Sequence, residues 1–316
     1  MKTILLSFFT VVSLMADTGT RAIVAATDTA PPTPPTPVAH LTNISTRALV
    51  ETGDNVVIGG FIVQGSGAKK VIIRALGPEL TQYGVSNPLS NPTLELHNAA
   101  GTLIASNNNW VTTIIGGMIT QNQVRDIMNS GYAPSNGLES AIIVDLPPGN
   151  YTAIVRGVND TTGVGLVEVY ELNNPGTVPS SILRNISSRS VVLTGDDVMI
   201  AGFIVQGSGT KRVIVRALGP ELSQYGVPFP LPDPTLELHN STGALIASND
   251  NWQTTIVGGI ITKDQVMDIQ NSGHAPTNSL ESAIIAQLPA GRYTAIVQGK
   301  NIATGVGLVE VYDLGQ

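Results

Sequence analysis

Short apolar runs rich in valine and isoleucine, separated by turn residues, dominate this chain. Residues 44–51, 55–64, 70–76, 93–97, 103–106, 140–146, 151–157 and 165–172 all read as strands. Gly77-Pro78, Ala100-Gly101 and Pro147-Pro148-Gly149 punctuate them. The Gly65-Ser66-Gly67-Ala68 segment between two of the runs predicts a hairpin. One helix is expected over residues 120–129, where Val124, Ile127 and Met128 recur at helical spacing. Short strands in this number, with one small helix, predict an antiparallel β-sandwich of jelly-roll type. A barrel stays open as well, because periodicity does not fix strand order.

The same pattern then occurs again. Residues 41–172 and 183–314 align without a gap at a constant offset of 142, and 93 of the 132 paired positions are identical. A repeat of that length is a whole domain rather than a solenoid unit. The expected fold is therefore all-β: two tandem antiparallel β-sandwich domains, each with one short helix. The expected layout is a signal peptide over 1–26, a Pro/Thr-rich spacer over 27–40, module 1 over 41–172, a linker over 173–182 and module 2 over 183–316. The duplication also acts as a filter. Chemistry used by both copies should appear at both positions, and a difference marks divergence.

At the N-terminus, Lys2 precedes an apolar stretch over residues 4–15, too short to span a bilayer and suited to a signal-peptide core. Cleavage after Ala16 or after Ala26 fits the small residues there. No transmembrane segment is expected once the signal is removed. The run Pro31-Pro32-Thr33-Pro34-Pro35-Thr36-Pro37 favours extended polyproline and reads as a semi-rigid spacer. The chain has no cysteine, which in an exported protein places stability on core packing or bound ions and favours a bacterial source. Charged residues make up 12% and aromatics 4% of the chain, whose net charge is −7. Without residues 1–26, 14 basic and 22 acidic residues remain, with no basic run to neutralise phosphates. Nucleic-acid binding is therefore not expected. The expected location is secreted, periplasmic or at the cell surface.

The second half of each copy carries a further pattern. In copy two, Asp233-Pro-Thr-Leu-Glu-Leu-His-Asn is followed by Gly243-Ala-Leu-Ile-Ala-Ser-Asn-Asp-Asn-Trp252. Glu281-Ser-Ala-Ile comes next, then Leu288-Pro-Ala-Gly-Arg-Tyr-Thr-Ala-Ile-Val-Gln-Gly299 and Gly307-Leu-Val-Glu-Val-Tyr. This resembles the bacterial pre-peptidase C-terminal domain. The whole unit also resembles repeats of uncharacterised secreted bacterial proteins, with NISTR, GGFI, RALGP and LVEVYDL as signatures. The resemblance implies a secreted β-sandwich accessory module without catalysis, some of whose relatives bind calcium, polysaccharide or collagen.

Four groups of side chains are candidates for chemistry. Asp233, Asn249, Asp250 and Asn251 offer hard oxygen ligands near strand ends, suited to calcium, with Glu237 and Glu281 as additions. Asn and Asp are also ordinary turn residues. Copy one has Asn91 and Asn108 where copy two has Asp233 and Asp250, so a calcium site is expected to be tight only in the second module. Trp110 and Trp252 follow polar turns and either stack on a sugar or anchor a loop into the core; Tyr83 and Tyr225 would widen such a platform. Arg74 and Arg216 lie within apolar strands and need partners, for which Glu168 and Glu310 are the natural choices.

An enzyme is not the expected reading. His97 and His239 sit two residues from Glu95 and Glu237 on the same strand face, with no nucleophile motif nearby. No Gly-x-Ser-x-Gly, His-Glu-x-x-His or phosphate loop occurs. The leading expectation is a noncatalytic surface or matrix protein with structural or adhesive β-sandwich modules that engage a cell-surface component. The runner-up is a carbohydrate-binding protein that uses the Trp-bearing loops on a polysaccharide. Third is a secreted hydrolase whose carboxylates leave no motif.

Overall fold

The computed structural model describes residues 38–172 and 179–315. The expected signal peptide and most of the expected spacer (1–37), and the centre of the expected linker (173–178), lie outside the described residues.

The described chain is all-β. In copy one the strands are β1 (His40–Val50), β2 (Val57–Gly65), β3 (Lys69–Leu76), β4 (Pro92–Asn98), β5 (Leu103–Asn107), β6 (Ser140–Leu146), β7 (Gly149–Gly157) and β8 (Gly163–Glu171). In copy two they are β9 (Ser181–Val192), β10 (Met199–Leu218), β11 (Pro234–His239), β12 (Leu245–Asn249), β13 (Ser282–Gly299) and β14 (Gly305–Asp313). β10 and β13 each run unbroken through what are two strands in copy one. Each copy holds one six-residue helix, α1 (Val124–Asn129) and α2 (Val266–Asn271). Both are shorter than the periodicity predicts, because only Ile127 and Ile269 are buried by them, against the outer face of the sheet.

Strand pairing departs from two separately closed sandwiches. β2 and β3 do not form a hairpin: β2 pairs with β7 and β9, whereas β3 pairs with β6 and β8. The Gly-Ser-Gly segment between them carries the chain from one layer to the other, as strands do at sandwich corners. A side chain at Gly65 would overlap the carbonyl oxygen of Ser180, with its Cβ only 2.2 Å away, so this corner admits only glycine. One layer follows β5-β4-β7-β2-β9-β14 into the second half of β10, and its counterpart follows β12-β11-β13 through the first half of β10 to β1-β8-β3-β6. Alternate residues of β2 (Val57, Phe61, Val63) point into a core shared by both copies.

The copies are joined by their first strands. β1 pairs on one side with β8 of its own copy and on the other with β10 of the second. β9 does the reverse, with β14 and β2. Phe61 lies opposite Ile186 and Ile44 opposite Phe203, the same contact with the copies exchanged. β1 and β9 cross each other in parallel, with Leu41 opposite Leu183 and Leu49 opposite Val191. Between these points Thr46 Oγ1 donates to Ser188 Oγ at 2.7 Å. Parallel strands that meet at equivalent positions are related by a two-fold axis running along them. This central location explains why β1 is buried almost throughout, and why it starts early. Val38 bridges Ser208 and His40 is already in the strand, so the end of the expected spacer belongs to the fold; Ser181 and Ile182 of the expected linker likewise belong to β9.

With one core and exchanged first strands, the chain is expected to unfold in a single cooperative transition. Calorimetry on the whole chain checks this; two resolved transitions, one per copy, would contradict it.

Candidate functional site

The loops at the β4 and β5 ends, and at β11 and β12 in copy two, gather most of the candidate side chains. Ser282 Oγ ties two of these loops together by donating to Pro234 O at 2.8 Å and Asn249 O at 3.0 Å. Ser140 does the same with Pro92 O and Asn107 O. Asn249 is not a free ligand. Its Oδ1 accepts the Ala283 N–H and its Nδ2 donates to Thr254 O, so it braces the loop, as Asn107 does in copy one. Asp233 and Asp250 converge on Lys300, whose Nζ lies 2.7 Å from Asp250 Oδ2 and 3.7 Å from Asp233 Oδ2. The hydrogen bond that Lys300 donates to Asp250, with the charge of Asp233, raises the pKa of Lys300. In copy one these three positions are Asn91, Asn108 and Val158, so both acids and the lysine differ together.

The Oδ1 atoms of Asp233, Asp250 and Asn251 are buried and accept no hydrogen bond. The same is true of Asn91, Asn108 and Asn109, their equivalents in copy one. Among the described residues no three His, Cys, Asp or Glu side chains gather as a metal-holding group. Glu237 and Glu281 are not part of this cluster: Glu237 Oε2 lies 2.9 Å from His239 Nε2, and Glu95 and His97 make the same pair at 3.1 Å.

Both tryptophans anchor loops. Trp252 is 5% exposed and packs with Ile214, Ile269 and Ile285; Trp110 is partly buried in the equivalent cluster. Each indole N–H donates to a main-chain carbonyl, Trp110 to Asn136 at 2.9 Å and Trp252 to Asn278 at 3.0 Å. Of the two expected readings, sugar platform or loop anchor, this packing and the two indole hydrogen bonds favour the anchor. Tyr83 and Tyr225 are exposed, each at the end of a 3-10 turn (Pro78–Tyr83 and Pro220–Tyr225). Tyr83 borders a groove with Arg47, Asp196 and Asp197, whereas Trp110 packs among the residues beneath α1.

Arg74 lies directly across from Glu168, and Arg216 from Glu310. Each pair is a buried ion pair with close contact between the guanidinium and the carboxylate. Further contacts surround each pair, although the Nε of Arg74 and of Arg216 is buried without an acceptor. Arg74 Nη1 donates to Tyr132 O at 2.9 Å, Tyr170 O–H donates to Glu168 Oε1 at 2.9 Å, and the guanidinium lies over the Tyr170 ring. In copy two His274 replaces Tyr132 and stacks on Tyr312. Burial, with the charge of Arg216, lowers the pKa of that histidine.

Sequence reasoning named Glu281 only as an addition to the oxygen cluster and did not name its equivalent, Glu139. Glu139 and Glu281 are fully buried at the starts of β6 and β13. Glu139 Oε2 accepts the Gly77 N–H and Oε1 the Glu79 N–H, both at 2.7 Å, and Glu281 does the same with Gly219 and Glu221. Glu79 and Glu221 in turn accept from the backbone and hydroxyl of Ser135 and Thr277. The Leu-Gly-Pro-Glu-Leu turn is thus stapled to a strand. Gly77 is required there, because a Cβ would lie 2.0 Å from Leu89 O. Burial pushes both buried carboxyls up to about 7, outweighing the two N–H donors that hold each one down.

Exposed apolar side chains cluster in the loop between β5 and α1. Val111, Ile114, Ile115 and Met118 are exposed beside Leu103 of β5. Ile256, Val257 and Ile260 repeat this beside Leu245 of β12, where Leu245, Ile256 and Gly258 line one small groove. The Met118 and Ile260 N–H groups donate to Ile104 O and Ile246 O and hold each loop on its edge strand.

No protein-family model matches the chain, and no match is found among curated proteins. Among solved structures, a DUF4785 family protein from Legionella pneumophila subsp. pneumophila str. Philadelphia 1 is similar at 10% identity with a TM-score of 0.24. The match covers 86% of this chain and 65% of that one. At that score it carries no argument about fold or function, and none of these comparisons supports the resemblance to the pre-peptidase C-terminal domain. Among the described residues no helix is long and apolar enough to cross a membrane.

Proposed function

We propose that the protein is a noncatalytic, exported contact protein, whose two copies form one adhesive or structural body at a bacterial surface or in its matrix. The observation that carries this reading is the pair of exposed apolar loops, residues 111–118 and 253–260, repeated on the edge strands of both copies. Contiguous apolar side chains left in solvent mark contact surfaces, and here the internal two-fold supplies two on one body. Two equivalent sites on a rigid body raise avidity for a repetitive surface when both engage it. The ionisable groups of the interior are committed to structure: the Arg–Glu pairs brace strands, and Glu139 and Glu281 hold backbone N–H groups. The short apolar stretch after Lys2 supports export.

The test is retention of the protein on bacterial surfaces and on a panel of insoluble polysaccharides, compared with Ile115→Asp, Val257→Asp and the double variant. Each single change is expected to weaken retention by about ten-fold through lost avidity, and the double change to abolish it. A double variant retained like the parent would show that contact is not made through these loops. If the parent adheres to nothing, the adhesive reading fails. Retention on one polysaccharide that is lost in Tyr83→Ala and Tyr225→Ala, but not in the loop variants, would establish carbohydrate binding instead.

A further inference from the structure

A groove of about 380 Å³ opens in copy two between the turns that follow β9 and β13, with Leu193, Val198 and Ile302 as its apolar walls. Copy one has the same turns but a different surface. There Arg156 reaches across from β7 and donates to Gly53 O at 2.9 Å, and Glu51 accepts from Asn55 Nδ2 at 3.0 Å. Copy two has Gln298 in place of Arg156, a shorter side chain that makes no such bridge, and Leu193 in place of Glu51. Ile302 shows the sharpest contrast. It is 82% exposed and left-handed at φ 60°, a conformation that β-branched residues rarely take. Asp160 holds the matching position at φ 58°, which aspartate tolerates. Phe229, 86% exposed at φ 50°, stands where copy one has Asn87. Its carbonyl accepts the Val306 N–H at 2.8 Å, beside the end of the turn that carries Ile302. Solvent and left-handed backbone both favour the polar residues of copy one, so folding does not account for either side chain. Exposed apolar residues held in strained backbone mark contact surfaces.

We infer that this groove binds a polypeptide segment carrying a basic side chain beside an apolar one. The charge around the groove selects that partner. Asp196 and Asp197 lie on its first turn, and Asp233 and Asp250 hold Lys300 on its second. Arg47 donates to the main-chain oxygen of Asp196 and not to its carboxylate. The apolar walls receive an aliphatic side chain, the two acids of the first turn receive lysine or arginine, and the Gln298 amide offers a donor and an acceptor to peptide main chain. Phe229 adds a ring face for the cation. A second copy of this chain, at net charge −7, would bring like charge to like, as would an anionic lipid surface. The exposed loops 111–118 and 253–260 occur in both copies, whereas this surface is particular to copy two.

The experiment is binding of the whole chain to an array of hexapeptides with basic, acidic or uncharged residues, each with and without leucine. Basic peptides that contain leucine are expected to be retained saturably, and the others not. The triple variant Leu193→Glu/Gln298→Arg/Ile302→Asp installs copy one's own residues. It is expected to weaken binding about ten-fold or more, while its melting temperature holds or rises as the strain at 302 is relieved. Asp196→Asn/Asp197→Asn, on the exposed turn, is expected to weaken binding less and to flatten its salt dependence. The proposal is overturned if no peptide binds saturably, if acidic or uncharged peptides bind equally, or if either variant binds as the parent does. Dimerisation of the parent in sedimentation, lost in the triple variant, would also overturn it and make the occupant a second copy.

Discussion

Replacing Glu168 with alanine is expected to destabilise the protein by about 3–5 kcal/mol, the usual effect of leaving one member of a buried pair without its partner. The Arg74 guanidinium would stay over the Tyr170 ring with only the Tyr132 carbonyl to receive its protons, and the Tyr170 hydroxyl would lose its acceptor. Glu168→Gln keeps one acceptor oxygen but turns an NH2 toward the other donor, so it should recover only part of the loss. Glu310→Ala should match Glu168→Ala and in addition lose the Ser187 hydroxyl, which donates to Glu310 Oε1 at 3.2 Å. Chemical denaturation of the four proteins checks the series. A near-neutral Glu168→Ala would mean that the pair contributes nothing and that Arg74 is held by packing alone.

The second large effect is expected at Glu139 and Glu281. Alanine at either position leaves two buried N–H groups without an acceptor, at about 1–3 kcal/mol each, so a loss of about 3 kcal/mol or more is expected. These carboxyls also predict a direction for the pH dependence. Their folded pKa of about 7 lies above the ordinary 4.5, so the folded state binds protons more tightly than the unfolded chain. Their contribution is fully present below pH 4.5 and is lost as pH rises through 7. The comparison to make is denaturation of the parent against Glu139→Gln/Glu281→Gln between these two values. The parent is expected to lose stability relative to the glutamine variant as pH rises. A constant difference across that window would show that both carboxyls are ionised throughout, held by their N–H donors.

Most strands were legible because a half-buried strand alternates with period two, and β2, β4 and β7 do so cleanly. The layer to which each strand belongs was not legible. Gly65-Ser66-Gly67 has the composition of a hairpin turn, and composition does not distinguish a chain that turns back from one that bends across a core. The partner of β1 was hidden for a different reason. A strand whose second edge is covered by the other copy differs from an ordinary one only in having few exposed positions, and Thr46, Ser188 and Ser190 disguise this by being buried and polar. Trp110 and Trp252 could not be assigned from sequence, because polar neighbours accompany exposed and anchoring indoles alike. The Asp/Asn cluster was half legible. Asp233, Asp250 and Asn251 stood out as oxygen donors, whereas Asn249 proved to be a brace. The role of Lys300 was written in the alignment of the copies, where it replaces Val158 just as two asparagines become aspartates. Glu139 and Glu281 carried the weaker signal of an acid placed immediately before an apolar strand in both copies.

The crossing of β1 and β9 also constrains how such a protein came about. One copy by itself has a first strand with an unsatisfied edge and a second strand waiting for a first strand from elsewhere, so its ancestor is most simply a homodimer of single-copy chains. In a homodimer, any substitution is felt twice, once on each side of the axis. Joining the two genes released that constraint. One copy holds Asp233, Asp250 and Lys300 where the other holds Asn91, Asn108 and Val158. The fusion thus did more than tether two partners: it let a symmetric assembly evolve two different sites.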